Sequence, residues 1–200
     1  MINRYLISSP GRTGSHIVTA CIRSAGMLAM HTHNPFLKTD NDRITGLILV
    51  LRKNLFDAIM SNFIAQHTNQ YTRYEKIIID PFNVNLTDFK DQYCKHKWYA
   101  DSHDFTRPYG LIKTLYFENF INDYDYIFKE LNLIKNLDLV SSPKVKNTLS
   151  AKAPYNYLDV IIDHQECRQL FDHLEQTEFP VLWQESQIYI GLKELNETWE

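Results

Sequence analysis

The sequence predicts an α/β fold, a doubly wound parallel sheet with flanking helices. Three observations predict it. Short apolar runs alternate with segments of helical periodicity, the pattern of β-α-β units. The run "TGLILVL", Thr45 to Leu51, is continuously apolar, which suits a central parallel strand covered on both faces. "SSPGRTGSHIV", Ser8 to Val18, passes from an apolar run through a small-residue loop into an amphipathic pattern.

The elements follow in order. Tyr5–Ile7 predicts a short buried strand. Ser15 to about Ala25 predicts a helix stopped by Gly26, and Met27–His33 a second strand closed by Asn34-Pro35. Thr45–Leu51 is the strongest strand. Asn54 can cap the next helix, with Asp57 in its first turn and Leu55, Ile59 and Phe63 along one side. Leu86-Thr87-Asp88 opens a helix to about Trp98. Ile112–Phe117 is another strand, Tyr124–Leu133 an amphipathic helix ending near Asn136, and Asp159–Leu174 the last core helix, begun near Tyr157. No linker or repeat divides the chain, so residues 1–180 are expected to form one domain, with 181–200 as a C-terminal tail. Trp183 and Trp199 would anchor that tail on the core or on a second subunit of a homodimer.

The composition supports a packed chain. It has 200 residues, 44% hydrophobic and 13% aromatic, too apolar for disorder. A net charge of −3 gives no bulk reason to expect nucleic acid. Cys21, Cys94 and Cys167 are odd in number and dispersed, which fits a reducing compartment rather than a disulfide framework. The polar N-terminus does not read as a signal peptide and no apolar run approaches a membrane span. The expectation is a cytoplasmic protein.

The first loop carries chemistry. A helix N-terminus offers backbone N–H groups and a partial positive charge. Gly11 and Gly14 let the backbone approach a ligand. Arg12 adds a cation suited to phosphate-like oxygens, and Thr13 and Ser15 add hydroxyl donors. Together they describe a phosphate or sulfonate cradle; the alternative is an ordinary capped turn. Only two residues separate Gly11 from Gly14 and no Lys follows, so this is neither a Walker A loop nor a dinucleotide fingerprint. A second station lies in "LVLRKNLFDAIMSNFIAQ". Arg52 ends the strongest strand, at the edge where open α/β sheets bind ligands. Ser61 stands nine residues on, off the Leu55-Ile59-Phe63 side.

Together these stations resemble the sulfotransferase family. "SSPGRTGSH" looks like its 5′-phosphosulfate loop, and "LRKNLFDAIMSNF" like its 3′-phosphate motif, an Arg at a strand end and a Ser on the next helix. The nine-residue spacing resembles the bacterial, carbohydrate-modifying branch. "LYFENFINDYDYIFKELNL", Leu115 to Leu133, resembles the strand and helix that follow in many members. The chain departs from the pattern in three ways: Gly11 is inserted between Pro10 and Arg12, His16 stands where many members carry a hydroxyl, and the chain is short.

The resemblance implies a P-loop NTPase-like sulfotransferase fold and the donor 3′-phosphoadenosine 5′-phosphosulfate (PAPS), with no metal. The sulfuryl group would pass to a hydroxyl or amine of a carbohydrate or small-molecule acceptor. It implies that Gly11, Arg12, Thr13, Gly14, Ser15 and His16 hold the 5′-phosphosulfate and that Arg52 and Ser61 hold the 3′-phosphate. In many members a late basic loop covers the nucleotide, here "PKVKNTLSAK" with Lys144, Lys146 and Lys152; the alternative is a solvated surface loop. Arg12 would serve the leaving phosphate as a catalytic cation.

The general base has no carboxylate candidate in the region where that branch commonly carries one. "MLAMHTHNPF" places His31 and His33 at the end of the second strand, and alternation puts both on one face. Imidazole titrates near neutrality, and His33, nearer the strand end, is preferred. Glu118 reads as a cap or ion-pair partner rather than a base. His67, His96, His103, His164 and His173 show no metal-ligand spacing, and Asp163-His164 reads as helix surface. The competing functions are a non-catalytic nucleotide-binding descendant and a small-molecule kinase with a degenerate phosphate loop.

Overall fold

A computed structural model describes residues 4–33, 44, 46–69, 78–101, 111–135 and 156–177. The protein is α/β. Four strands, β1 (Arg4–Ser8), β2 (Leu28–Thr32), β3 (Gly46–Leu51) and β4 (Leu111–Tyr116), form one sheet in the order β2-β1-β3-β4, with every pairing parallel. Between and after them lie α1 (Ser15–Ser24), α2 (Leu55–Thr68), α3 (Leu86–Asp101), α4 (Phe117–Phe120), α5 (Asp125–Glu130), α6 (Tyr157–Val160) and α7 (His164–Glu175).

The chain divides into two compact units, one built on the sheet with α1, α4 and α5, the other on α2, α3, α6 and α7. In the first, all six residues of β3 are buried, as its unbroken apolar run requires. Its even positions, Ile48 and Val50, join Ile7, Leu115 and Ala29 beneath Val18, Ile22, Ile127 and Phe128. Each of these larger side chains contributes about 1.5–3 kcal/mol by leaving water. Among the described strands β2 lies at the edge, with Leu28 and Met30 exposed and Ala29 buried between them. In the second unit Phe56, Ile59, Met60, Phe89, Tyr93 and Ile161 form a separate core. Asn54 caps α2, its carboxamide oxygen accepting from the Asp57 N–H at 3.1 Å.

Two helices differ from the sequence expectation. The segment expected over Tyr124–Leu133 stops as α5 at Glu130. Asn132 takes a left-handed φ of 51°, the Leu133 N–H donates to the Phe128 carbonyl at 2.8 Å and the Asn132 N–H to Lys129 at 3.1 Å. That is a Schellman termination with Asn in glycine's usual place. The single helix expected over Asp159–Leu174 is broken into α6 and α7. Between them Ile161 bridges Phe82 in parallel, the Ile162 N–H donates to the Phe82 carbonyl at 2.9 Å, and the Asp163 carboxylate accepts from the Val84 N–H at 3.0 Å. A long-range strand contact thus outweighs local periodicity. Asp163 and His164, expected at the surface, are half-buried. Phe117, expected to end β4, instead opens α4.

All three cysteines are fully buried. Burial pushes the Cys21 and Cys167 thiols up to about 12, so neither is a thiolate near neutrality. A disulfide-exchange reagent at pH 8 is therefore expected to label the native chain far more slowly than the urea-unfolded chain, which should release three equivalents at once. Rapid stoichiometric labelling of the native protein would contradict this burial.

Candidate functional site

Because all four strands are parallel, their carboxyl ends share one edge of the sheet. Along that edge the order β2-β1-β3-β4 sets out His33, the Ser9–Gly14 loop, Arg52, then Phe117 and Glu118. The chain leaves β1 through α1 toward β2 on one side, whereas β3 and β4 lie on the other. The loops after β1 and β3 therefore flank a topological switch point, where open α/β sheets bind ligands.

The loop after β1 is wound tightly. Gly11 has φ 112°, Arg12 φ 54° and Gly14 φ 76°. For Arg12 a left-handed backbone costs on the order of 1–3 kcal/mol, a strain typical of ligand-binding turns. Gly14 is the N-cap of α1 and supplies no side-chain acceptor. Its carbonyl accepts from the N–H groups of Ile17 at 2.9 Å and Val18 at 3.3 Å. The earlier first-turn N–H groups have no intrahelical acceptor by position, and the first turn carries no acidic residue. A Cβ on Gly14 would stand 2.6 Å from Phe117 Cδ2 and 3.0 Å from Phe120 Cε2, so both conformation and space demand glycine. Thr13 is completely buried, and its Oγ1 has no hydrogen-bond partner among the described residues. Ser8 Oγ, at the end of β1, is in the same state. Buried polar atoms are normally satisfied, and an orphan costs about 1–3 kcal/mol.

Beside this loop lie three imidazoles. The register pairs Ile7 with His31 and Ser8 with Thr32, which carries His31 and His33 alongside the start of the loop. The His31 and His33 ring centroids are 4.3 Å apart, edge to face, and the His16 ring lies 4.4 Å from His31. His33 Nδ1–H donates to the Ser9 carbonyl at 2.9 Å, with Ser9 Oγ at 3.1 Å. His31 Nε2 lies 2.8 Å from Ser15 Oγ. Burial holds His31 down to about 3, with His33, His16 and Arg23 adding repulsion. Desolvation by neighbouring groups, then Arg12 and Arg23, lower His16 although the residue is exposed. A base whose conjugate acid titrates near 3 takes up a proton poorly at neutral pH, so His31 is a weaker candidate base than the sequence suggested. Arg23 is otherwise engaged, donating to the Ala29 carbonyl at 2.8 Å.

Arg52 lies across the switch point. Its guanidinium stands 4.7 Å over the Phe117 ring, and Nε is 3.5 Å from Glu118 Oε1. Glu118 Oε2 accepts from the Lys53 N–H at 2.9 Å. Glu118 is thus an ion-pair partner and loop clamp, in keeping with its reading from sequence. Phe117 touches both stations, packing against the Gly14 backbone and under Arg52. Ser61 is half-buried on α2, in the second unit. Lys144, Lys146 and Lys152 lie outside the described residues, as does the tail 181–200.

The three-histidine cluster was not visible as a motif, because its members come from the start of α1 and the end of β2. The parallel β1-β2 pairing brings them together, and that pairing was the one signal available. Comparison with known protein families, curated proteins and solved structures gives no match to this chain.

Proposed function

We propose that the chain is a sulfotransferase of doubly wound, P-loop-like fold that takes the sulfuryl group from PAPS and gives it to a hydroxyl or amine of a small-molecule or carbohydrate acceptor. The observation that carries this reading is the left-handed loop at the N-terminus of α1, with Thr13 Oγ1 buried and without a hydrogen-bond partner among the described residues. Such a loop presents backbone donors, an orphan hydroxyl and the Arg12 cation together, the set an oxyanion requires.

In the proposed reaction the acceptor oxygen bonds to sulfur as the bond from sulfur to the 5′-phosphate oxygen breaks. The acceptor proton passes to a base, for which His33 is the candidate. Charge grows on the leaving phosphate, and Arg12 with the loop amides would stabilise it there more than in the ground state. Arg52, at the edge of the same sheet, would meet the 3′-phosphate. Phe117 and Glu118 already fix the orientation of its guanidinium, so little side-chain entropy remains to be lost on binding.

Adenosine 3′,5′-bisphosphate is therefore expected to bind more tightly than adenosine 5′-monophosphate in calorimetry without Mg²⁺. A charge-assisted hydrogen bond contributes about 1.5–3 kcal/mol, so Arg52→Ala should weaken the bisphosphate roughly tenfold or more and leave the monophosphate nearly unchanged. Equal affinity for the two nucleotides would remove the assignment. Labelled-sulfate transfer to an acceptor panel separates a working enzyme from a nucleotide-binding protein without transfer, and an absolute requirement for Mg²⁺ and ATP would indicate a kinase.

A further inference from the structure

We infer that His16, His31 and His33 form a binding site for one divalent transition-metal ion, Zn²⁺ or a neighbour of similar preference, with at least one coordination position left open. One ring nitrogen of each residue lies within 4.8 Å of the others. Metal–nitrogen bonds of about 2.0–2.1 Å in a tetrahedral site place the nitrogens roughly 3.3 Å apart. The rings must therefore close by about 1.5 Å or less, and His16, exposed at the start of α1, can turn toward the other two.

The donor set decides the class of ion. Among the described residues the cluster holds three imidazoles and neither carboxylate nor thiolate, a set that suits Zn²⁺, Cu²⁺ or Ni²⁺, whereas Mg²⁺ and Ca²⁺ demand oxygen. Among the described residues three ligands are available, one short of a closed structural zinc site, so water or another ligand completes the shell. The supporting contacts are those of a metal-ligating histidine. His33 donates Nδ1–H to the Ser9 carbonyl at 2.9 Å, which fixes the ring and leaves Nε2 its lone pair. When His31 Nε2 donates to Ser15 Oγ, at 2.8 Å, its Nδ1 is left as the ligand atom. Arg12 and Arg23 act electrostatically on these rings and oppose a bare dication. An anion in the open position offsets them, and the phosphate-type loop adjoins the cluster.

This site goes beyond the transfer reading. A metal on His33 Nε2 and a proton-accepting His33 are alternatives, so an ion bound there would inhibit sulfuryl transfer. The ion can be counted without any activity assay.

The test uses the full chain, stripped with a chelator and titrated with ZnCl₂ by calorimetry, with metal content measured after desalting. One equivalent per chain is expected. His16→Ala and His33→Ala should each weaken binding about tenfold or more, and the double variant should lose stoichiometric uptake while it still melts cooperatively in chelator. Should the variants fold poorly, Co²⁺ added to the unsubstituted chain decides. Visible bands of a four- or five-coordinate nitrogen site without a thiolate charge-transfer band support the cluster, and a thiolate band or no bands overturn it. No stoichiometric uptake, or uptake undiminished in the double variant, also overturns it.

Discussion

Gly14→Ala is expected to destabilise the sheet-bearing unit by about 2–5 kcal/mol, through two separable effects. A side chain at φ 76° costs about 1–2 kcal/mol for an L-residue. The new methyl also meets Phe117 Cδ2 at 2.6 Å and Phe120 Cε2 at 3.0 Å, and overpacking of this kind costs about 1–3 kcal/mol. The two parts separate in a double-mutant cycle. Phe117→Ala removes the nearer clash but not the backbone strain, so on that background Gly14→Ala should cost only about 1–2 kcal/mol. A coupling of 1 kcal/mol or more in urea midpoints is the expected result. A midpoint unchanged by Gly14→Ala, or no coupling, would mean that the loop does not pack against Phe117. Because Phe117 also lies beneath Arg52, Phe117→Ala probes the bridge between the two anion-binding candidates.

The fold was legible wherever local chemistry and tertiary environment agree. β3 is the clearest case. "GLILVL" has no polar position, so it can only be an inner strand, and all six residues are buried. Asn54 and Asp57 signalled the start of α2, and their cap hydrogen bond is present. Legibility failed where a distant segment competes for the backbone. Periodicity runs unbroken from Asp159 to Leu174, yet Phe82 takes the backbone of Ile162 out of any helix. The end of α5 turns on Asn132 adopting a left-handed conformation, a weaker signal than glycine. The site divides in the same way. Arg12, Thr13 and Gly14 could be read from one contiguous loop, as could the alternation of His31 and His33. The inclusion of His16, and the hold of Phe117 and Glu118 on Arg52, depend on strand order, which no local pattern carries. Ser61 was set off the Leu55-Ile59-Phe63 side from helical spacing alone, and α2 belongs to a second unit. Spacing along one helix cannot decide a relation between two units.

His33→Ala is expected to lower sulfuryl-transfer turnover by about 10² to 10⁴ while nucleotide affinity stays nearly unchanged, when assayed with chelator so that no metal occupies Nε2. The geometry gives the reason. His33 Nδ1–H donates to the Ser9 carbonyl, so Nε2 is the nitrogen that can accept a proton, in the manner of a base oriented by a third group. His31 cannot readily replace it, since burial holds that imidazole to about 3. A positioning role differs in what it disturbs. If His33 served only to hold Ser9 and the loop behind it, its loss would loosen nucleotide binding as well as slow turnover. His33→Asn distinguishes the two roles further. Its amide N–H can keep a bond to the Ser9 carbonyl but offers no basic nitrogen, so it should be as slow as His33→Ala if the imidazole is the base, and near normal if only the Ser9 contact matters. Retention of near-normal turnover by both variants would remove His33 from the proton transfer and leave His16, whose exposed ring lies next to His31 across the same loop, as the next residue to test.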